Sequence, residues 1–101
     1  MSDAAISAVN LQEVAKRLIG AGFTTHAARQ TVDALDLDVF EHGTDDAYLA
    51  AGLVPATRRH GSGLGDRSCL ALAIRLGAPA VTTDRAWSKL DLTGLTVVVV
   101  R

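Results

Sequence analysis

The stretch DRSCLALAIRLGAPAVTTD, residues 66–84, decides the fold class, because it joins a helical pattern to a strand pattern. Apolar residues recur at helical spacing at four positions: Cys69, Leu72, Ala73 and Leu76. This spacing predicts one apolar helix face, and Gly77 predicts the end of the helix. Pro79 then opens a short segment, residues 80–83, which ends at Asp84 and is typical of a strand. A helix followed directly by a strand indicates an α/β fold.

Strands and helices alternate in the same way on both sides of this stretch. Strands are predicted at residues 5–9, 37–40, 80–83 and 95–100, and helices at 11–19, 25–35, 44–57, 66–76 and 87–90. The last strand has no polar residue after Thr96, and strands that are apolar on both faces are typical of parallel sheets covered by helices. The sequence therefore predicts a three-layer α/β/α sandwich with a mostly parallel sheet.

The composition is that of a single globular domain over residues 1–101, with 49% hydrophobic and 21% charged residues. A net charge of -1 excludes a positive field over the whole molecule, so any nucleic-acid contact is expected to be local. The sequence has one cysteine, Cys69, which excludes an internal disulfide and a thiolate metal cage. We expect a soluble, cytoplasmic protein, because no run of about 18 apolar residues and no leader-like N-terminus is present.

Three carboxylates are predicted at the same edge of the sheet. Glu13 follows the first strand, Asp66 opens a helix and Asp84 ends a strand. Binding sites in parallel sheets form beyond the carboxyl ends of the strands, so Glu13 and Asp84 are expected to meet there, and Asp66 joins them if the loop before its helix folds over that edge. Clustered carboxylates raise one another's pKa unless a cation lies between them, and oxygen ligands favour Mg²⁺ or Mn²⁺ over zinc. Such a cation suits phosphodiester hydrolysis.

Each of these acids also has an alternative role in helix capping. Carboxylates are favoured at helix N-termini by the helix dipole and by backbone amides that lack a partner. Asn10 and Glu13 match a capping box, in which Asn10 would be the N-cap of the first long helix. Taken singly, Glu13, Asp66 and Asp84 could therefore be caps as well as ligands.

Three blocks of sequence resemble the PIN domain family, in particular the VapC-type toxin ribonucleases of type II toxin–antitoxin systems. The blocks occur in the family's order: SAVNLQEV (residues 7–14), GDRSCLALA (65–73) and AVTTDRAW (80–87). The resemblance implies that Glu13, Asp66 and Asp84 match three of the family's four metal-binding acids. It also implies RNA cleavage that depends on Mg²⁺ or Mn²⁺, and a cognate antitoxin as partner.

The chain departs from the family at its start. PIN domains open with a strand that ends in Asp, whereas this chain begins directly with the later strand at residue 5. Asp3 is not a substitute, because it precedes that strand and would lie at the opposite edge of the sheet from Glu13. The resemblance therefore predicts an N-terminally truncated PIN domain without the central first strand and the fourth acid. We expect weak or absent cleavage, and either closure of the neighbouring strands or a second chain in the gap.

Four arginines are candidates for contacts with RNA phosphates, because guanidinium groups match phosphate geometry: Arg58, Arg59, Arg67 and Arg85. Solvated surface arginines are the alternative. Among the neighbouring residues, Cys69 is predicted to lie in the core and Trp87 to be a packing residue. Ser68 is predicted to be a helix residue that could orient Asp66 or a metal-bound water.

The sequence thus supports two main hypotheses of function. The first is a PIN-domain endoribonuclease with Glu13, Asp66 and Asp84 as metal ligands, RNA as substrate and an antitoxin as regulator. The second is a non-catalytic PIN-fold interaction module, in which the acids cap helices and the surface binds an antitoxin or partner chain. A homodimer is also expected, because a missing strand exposes apolar surface. A phosphoacceptor receiver domain is disfavoured, since Lys16 and Lys89 both fall in helical segments.

Overall fold

The computed structural model describes residues 4–58, 63–82, 87, 90 and 94–99. Over these residues the chain is mostly helical with short parallel strands, which agrees with the predicted α/β class. The elements follow in chain order: β1 Ala5–Ser7, α1 Ala8–Gly20, α2 Thr25–Asp33, β2 Asp38–Phe40, α3 Thr44–Gly52, α4 Val54–Thr57, α5 Leu64–Leu76, β3 Ala80–Thr82 and β4 Val97–Val99. No helix in these described ranges is long and apolar enough to cross a bilayer.

The strands form two parallel pairs, one in each of two compact units, Met1–His42 and Gly43–Arg101. In the first unit β1 lies beside β2, with Ile6 opposite Val39. In the second unit β3 lies beside β4, with Ala80 opposite Val97. Parallel strands need a long crossover connection, which α1 and α2 supply in the first unit. The single domain, the three-layer sandwich and the missing central strand remain predictions.

In the first unit, α1 packs against α2 and both strands. Helix α2 buries Ala28 and Val32, whereas no residue of α1 is fully buried. Two positions of the apolar face of α1 are substantially exposed, Val14 at 38% and Ile19 at 44%. Hydrophobic periodicity therefore predicted this helix correctly but overstated its burial. An apolar cleft of about 420 Å³ lies between α1, α2 and β2.

Helix α5 is the most buried element of the second unit. It contacts α3 and β3, and the core cluster of this unit consists of Leu53, Leu70, Ala73, Ala80 and Trp87. The predicted apolar face included Leu72 and Ala73, which are indeed buried, but Leu70 and Ala71 outside that face have no exposed surface at all. Because both α3 and β3 pack against α5, more than one face of this helix is enclosed. Trp87 is 4% exposed, which confirms its packing role.

Two helix ends show how local residues set the element boundaries. Gly77 ends α5 in a left-handed conformation (φ 62°), which glycine adopts without the strain of a side chain. The single helix predicted over residues 44–57 is interrupted at Leu53, so that α3 and α4 are separate. Pro55, the second residue of α4, has no backbone N–H to continue the hydrogen bonding of α3. Proline is tolerated in the first turn of a new helix, and the chain begins one there.

Ser68 on α5 carries a stability prediction of its own. Its side chain is fully buried, and its Oγ makes no hydrogen bond to any described residue. Burying an unpaired hydroxyl costs about 1–3 kcal/mol, so Ser68→Ala should raise the free energy of unfolding by about 1 kcal/mol. In a domain of this size the midpoint of thermal unfolding should rise by about 4–8 °C, as measured by circular dichroism. A lower midpoint would mean that the hydroxyl has a partner outside the described residues.

Candidate functional site

Glu13 lies in the second turn of α1 and is exposed. The helix begins at Ala8, and its N-cap is Ser7, whose Oγ accepts a hydrogen bond from the Asn10 amide at 3.1 Å. The predicted capping box with Asn10 as N-cap is therefore wrong, because the strand ends earlier and the Ser7 hydroxyl already caps the helix. The side-chain amide of Asn10 instead donates to Glu13 Oε1 at 3.3 Å. Asn10 thus orients a carboxylate that is accessible to a ligand.

Asp66 is the third residue of α5, which follows the N-cap Gly63. Its Oδ2 accepts a hydrogen bond from the Gly63 amide at 3.3 Å, which confirms the predicted capping role. The side chain is only half-buried. A carboxylate has about four acceptor positions, so this one bond leaves most of them unused. Asp66 can therefore cap the helix and bind a cation at the same time.

The third predicted ligand, Asp84, lies outside the described residues. Glu13 belongs to the first unit and Asp66 to the second. Over the described part of the chain, no group of three or more His, Cys, Asp or Glu side chains is placed to hold a metal ion. The convergence of Glu13, Asp66 and Asp84 on one cation accordingly remains a prediction.

Two of the four arginines proposed to contact RNA are described, and Arg59 and Arg85 are outside the described residues. Arg58 is exposed at the C-terminal end of α4. Arg67 follows Asp66, and its Nε donates a hydrogen bond to Thr57 Oγ1 at 3.0 Å. This bond uses Nε, and the guanidinium could still form a bidentate pair with a phosphate through its two terminal nitrogens. The RNA contacts of all four arginines remain predictions.

The residues that follow Arg67 belong to the core. Ser68 Oγ makes no hydrogen bond to Asp66, so the structure gives no support for an orienting role. Cys69 packs against the core cluster, as predicted. Burial raises the pKa of the Cys69 thiol above its ordinary value, and the charge of Asp66 raises this pKa further. The thiol is therefore protonated at neutral pH, unlike a nucleophile or a metal ligand.

Asp46 is a buried charged residue whose burial the sequence did not reveal. The sequence predicts Asp45 and Asp46 together in the first turn of a helix, and both lie there in α3. The structure buries Asp46, whose Oδ2 accepts from the Gly43 amide at 3.0 Å and from Arg75 on α5, also at 3.0 Å. Asp46 lies four residues before Ala50, which is also buried. This helical spacing was the sequence feature that could have distinguished Asp46 from Asp45.

The predicted site residues lie within a match to a known protein family. The family model described as PIN domain matches residues 1–92, which include Glu13, Asp66 and Asp84. Searches of curated proteins and of solved structures gave no significant match.

Proposed function

The chain belongs to the PIN domain family, and from this membership we propose that it is a metal-dependent endoribonuclease of the VapC toxin class. PIN domains are generally nucleases. The proposal rests on Asp66, a half-buried carboxylate at the start of α5. Its oxygens accept one capping hydrogen bond from Gly63 and can accept further bonds. Asp66 also lies in one of the three sequence blocks that resemble the VapC-type members.

The chemistry of the three acids fits a divalent cation. PIN domains typically depend on divalent metal ions. Mg²⁺ and Mn²⁺ prefer carboxylate oxygens, and we propose that Glu13, Asp66 and Asp84 hold one of these ions. When bound, the ion supplies an oriented water and stabilises negative charge on the phosphate. Glu13 is exposed and Asp66 is half-buried, so both described carboxylates can reach a hydrated ion.

Arginines near Asp66 and Asp84 in the sequence would bind the RNA. The proposed phosphate contacts are Arg58, Arg59, Arg67 and Arg85. Their bidentate geometry suits phosphate oxygens, and their position beside the acids would place the scissile phosphate near the cation. The overall charge of the chain is nearly balanced, so this local group must provide the attraction for RNA. A cognate antitoxin is the proposed protein partner.

A non-catalytic interaction module is the second candidate, and the capping bond of Asp66 favours it. Asp66 Oδ2 accepts the Gly63 amide, so helix capping alone gives this acid a structural role. In this case the PIN fold would bind an antitoxin, a partner chain or a second copy without hydrolysing RNA. The two candidates differ in whether the charge of Asp66 is needed for a metal ion.

The variant Asp66→Asn separates these two roles. Asparagine keeps a carbonyl oxygen that can accept the Gly63 amide, but it removes the charge that a cation requires. If the chain is a nuclease, Mn²⁺ should raise the melting temperature of the wild type by mass action, and the variant should lose most of this increase. Cleavage of single-stranded RNA with Mn²⁺ should fall by at least about 100-fold.

The matched control is Asp45→Asn, an exposed acid in the first turn of α3. This control should keep both the Mn²⁺-dependent increase in melting temperature and the RNA cleavage of the wild type. A wild type that shows neither cleavage nor any response to millimolar Mn²⁺ would reject the nuclease and favour the interaction module.

A further inference from the structure

A chain of two hydrogen bonds joins α5 to the corner between α3 and α4. Arg67 Nε donates to Thr57 Oγ1 at 3.0 Å, and Thr57 Oγ1 donates to the Leu53 carbonyl at 2.7 Å. Thr57 has no exposed surface, and Leu53 is 7% exposed. Both distances are well within the normal range for hydrogen bonds. The first turn of α5 is thereby linked to a buried part of the second unit.

Two backbone amides at the start of α5 also take part in hydrogen bonds: the Arg67 amide donates to the Gly63 carbonyl at 3.1 Å, and the Gly63 amide donates to Asp66 Oδ2. The capping bond of Asp66 runs to Gly63 at 3.3 Å, which is longer than the 3.0 Å of the Thr57–Arg67 bond. Gly63 has no side chain, and a Cβ at this position would meet no atom within 4 Å, so neighbouring groups do not hold the cap. Leu64, the first residue of the helix, is 70% exposed. The exposed residues 63 and 64 therefore add little packing next to Asp66.

The Thr57–Arg67 bond spans the segment that leads into Asp66. The two residues are ten positions apart, and Asp66 immediately precedes Arg67. Gly63 and Gly65 lie within the three positions before Asp66, and glycine restricts the backbone less than any other residue. A side-chain bond beside these two glycines limits how far the neighbouring Asp66 can move. The buried Thr57 hydroxyl can hold the Arg67 side chain in place, because the hydroxyl is itself hydrogen-bonded to the Leu53 carbonyl.

From this geometry we infer that Thr57 and Arg67 are positioning residues that hold the Asp66 carboxylate in place for a divalent cation. The inference rests on the proposed function, since it requires that Asp66 bind a metal ion. Arg67 acts through the backbone it shares with Asp66, and Thr57 acts through Arg67. Groups hydrogen-bonded directly to a metal ligand typically change metal affinity by about 10–100-fold when they are removed, and because Arg67 and Thr57 act on Asp66 only through the backbone, we expect an effect at the lower end of this range.

The test compares Mn²⁺ binding by variants of the full chain, with free Mn²⁺ measured by electron paramagnetic resonance. Thr57→Val removes the hydroxyl at nearly constant volume, and Arg67→Met removes the donor from a half-buried side chain. We expect both variants to bind Mn²⁺ about 10-fold more weakly than the wild type. Thr57→Ser retains a hydroxyl and should recover most of the affinity.

The matched control is Arg75→Met, which removes an arginine contact of equal length near the other end of α5. This variant should lower the melting temperature but leave the Mn²⁺ affinity unchanged. If Thr57→Val and Arg67→Met also bind Mn²⁺ like the wild type, the bond is merely structural and the inference is wrong. If the wild type itself does not bind Mn²⁺, the proposed function fails, and the positioning role fails with it.

Discussion

Replacing Leu70 by alanine should lower the free energy of unfolding by about 2–5 kcal/mol, the usual cost of such a truncation in a protein core. Leu70 has no exposed surface and belongs to the core cluster of the second unit. The loss combines the hydrophobic transfer energy of the removed atoms with the cost of the cavity they leave. Small domains are marginally stable, so this single change would remove a large part of the total stability.

Leu64→Ala provides the matched comparison on the same helix. Leu64 is 70% exposed, so its truncation removes few contacts and should change stability by less than about 0.5 kcal/mol. Urea denaturation followed by circular dichroism measures both variants under the same conditions. Equal losses for the two leucines would contradict the burial of Leu70, and with it the central position of α5 in the second unit.

The second large effect is expected for Asp46→Ala, with a loss of about 2–3 kcal/mol in the free energy of unfolding. The Asp46 side chain is 6% exposed, and its Oδ2 accepts from both Arg75 and the Gly43 amide. Alanine removes both charge-assisted bonds and leaves the Gly43 amide without its acceptor. The Arg75 side chain is 40% exposed, so water can solvate the guanidinium and the loss stays below that of a fully buried pair.

Two further variants separate the contributions at Asp46. Asp46→Asn keeps an acceptor for the Gly43 amide but loses the charge, so its loss should lie between zero and that of Asp46→Ala. Asp45→Ala, in the exposed neighbour, should change stability by about 0.5 kcal/mol or less. A double-mutant cycle with Arg75→Met measures the coupling across α3 and α5. Zero coupling in that cycle would show that the ion pair contributes nothing to stability.

These stability measurements also bear on the candidate site. Asp46 and Arg75 join α3 to α5 near one end of α5, and Thr57 and Arg67 join the α3–α4 corner to its other end. Helix α5 is therefore held at both ends by arginine side chains, with Leu70 buried between them. Asp66 lies beside the first of these contacts. A comparison of Arg67→Met with Arg75→Met therefore separates a loss of helix stability from a loss of metal affinity at Asp66.

Most of the secondary structure, and the family, could be determined from the sequence. Hydrophobic spacing and glycine positions predicted the described strands and the helices α1, α2, α3 and α5 in their observed order, and Gly77 ends α5 as expected; the division between α3 and α4 was not predicted, and residues 88 and 89 of the helix predicted over 87–90 lie outside the described residues. These features are local, because they depend on the residue type and on its spacing to neighbours within a short stretch of the chain. The order of the blocks around Glu13, Asp66 and Asp84 identified the PIN domain, which the family comparison confirms.

Only the tertiary structure decided which polar side chains are buried and what they bind. Helical spacing to Ala50 could have set Asp46 apart from Asp45, but only the tertiary structure brings Arg75 of α5 to 3.0 Å from the Asp46 Oδ2. Arg67 resembles a surface arginine until α4 brings Thr57 within 3.0 Å of its Nε. Such pairs join different helices, so no pattern within a single helix predicts them. The start of α1 is an exception, because the choice there was between two nearby residues. Ser7 and Asn10 both favour the N-cap position, and Ser7 caps the helix because the strand ends at this residue.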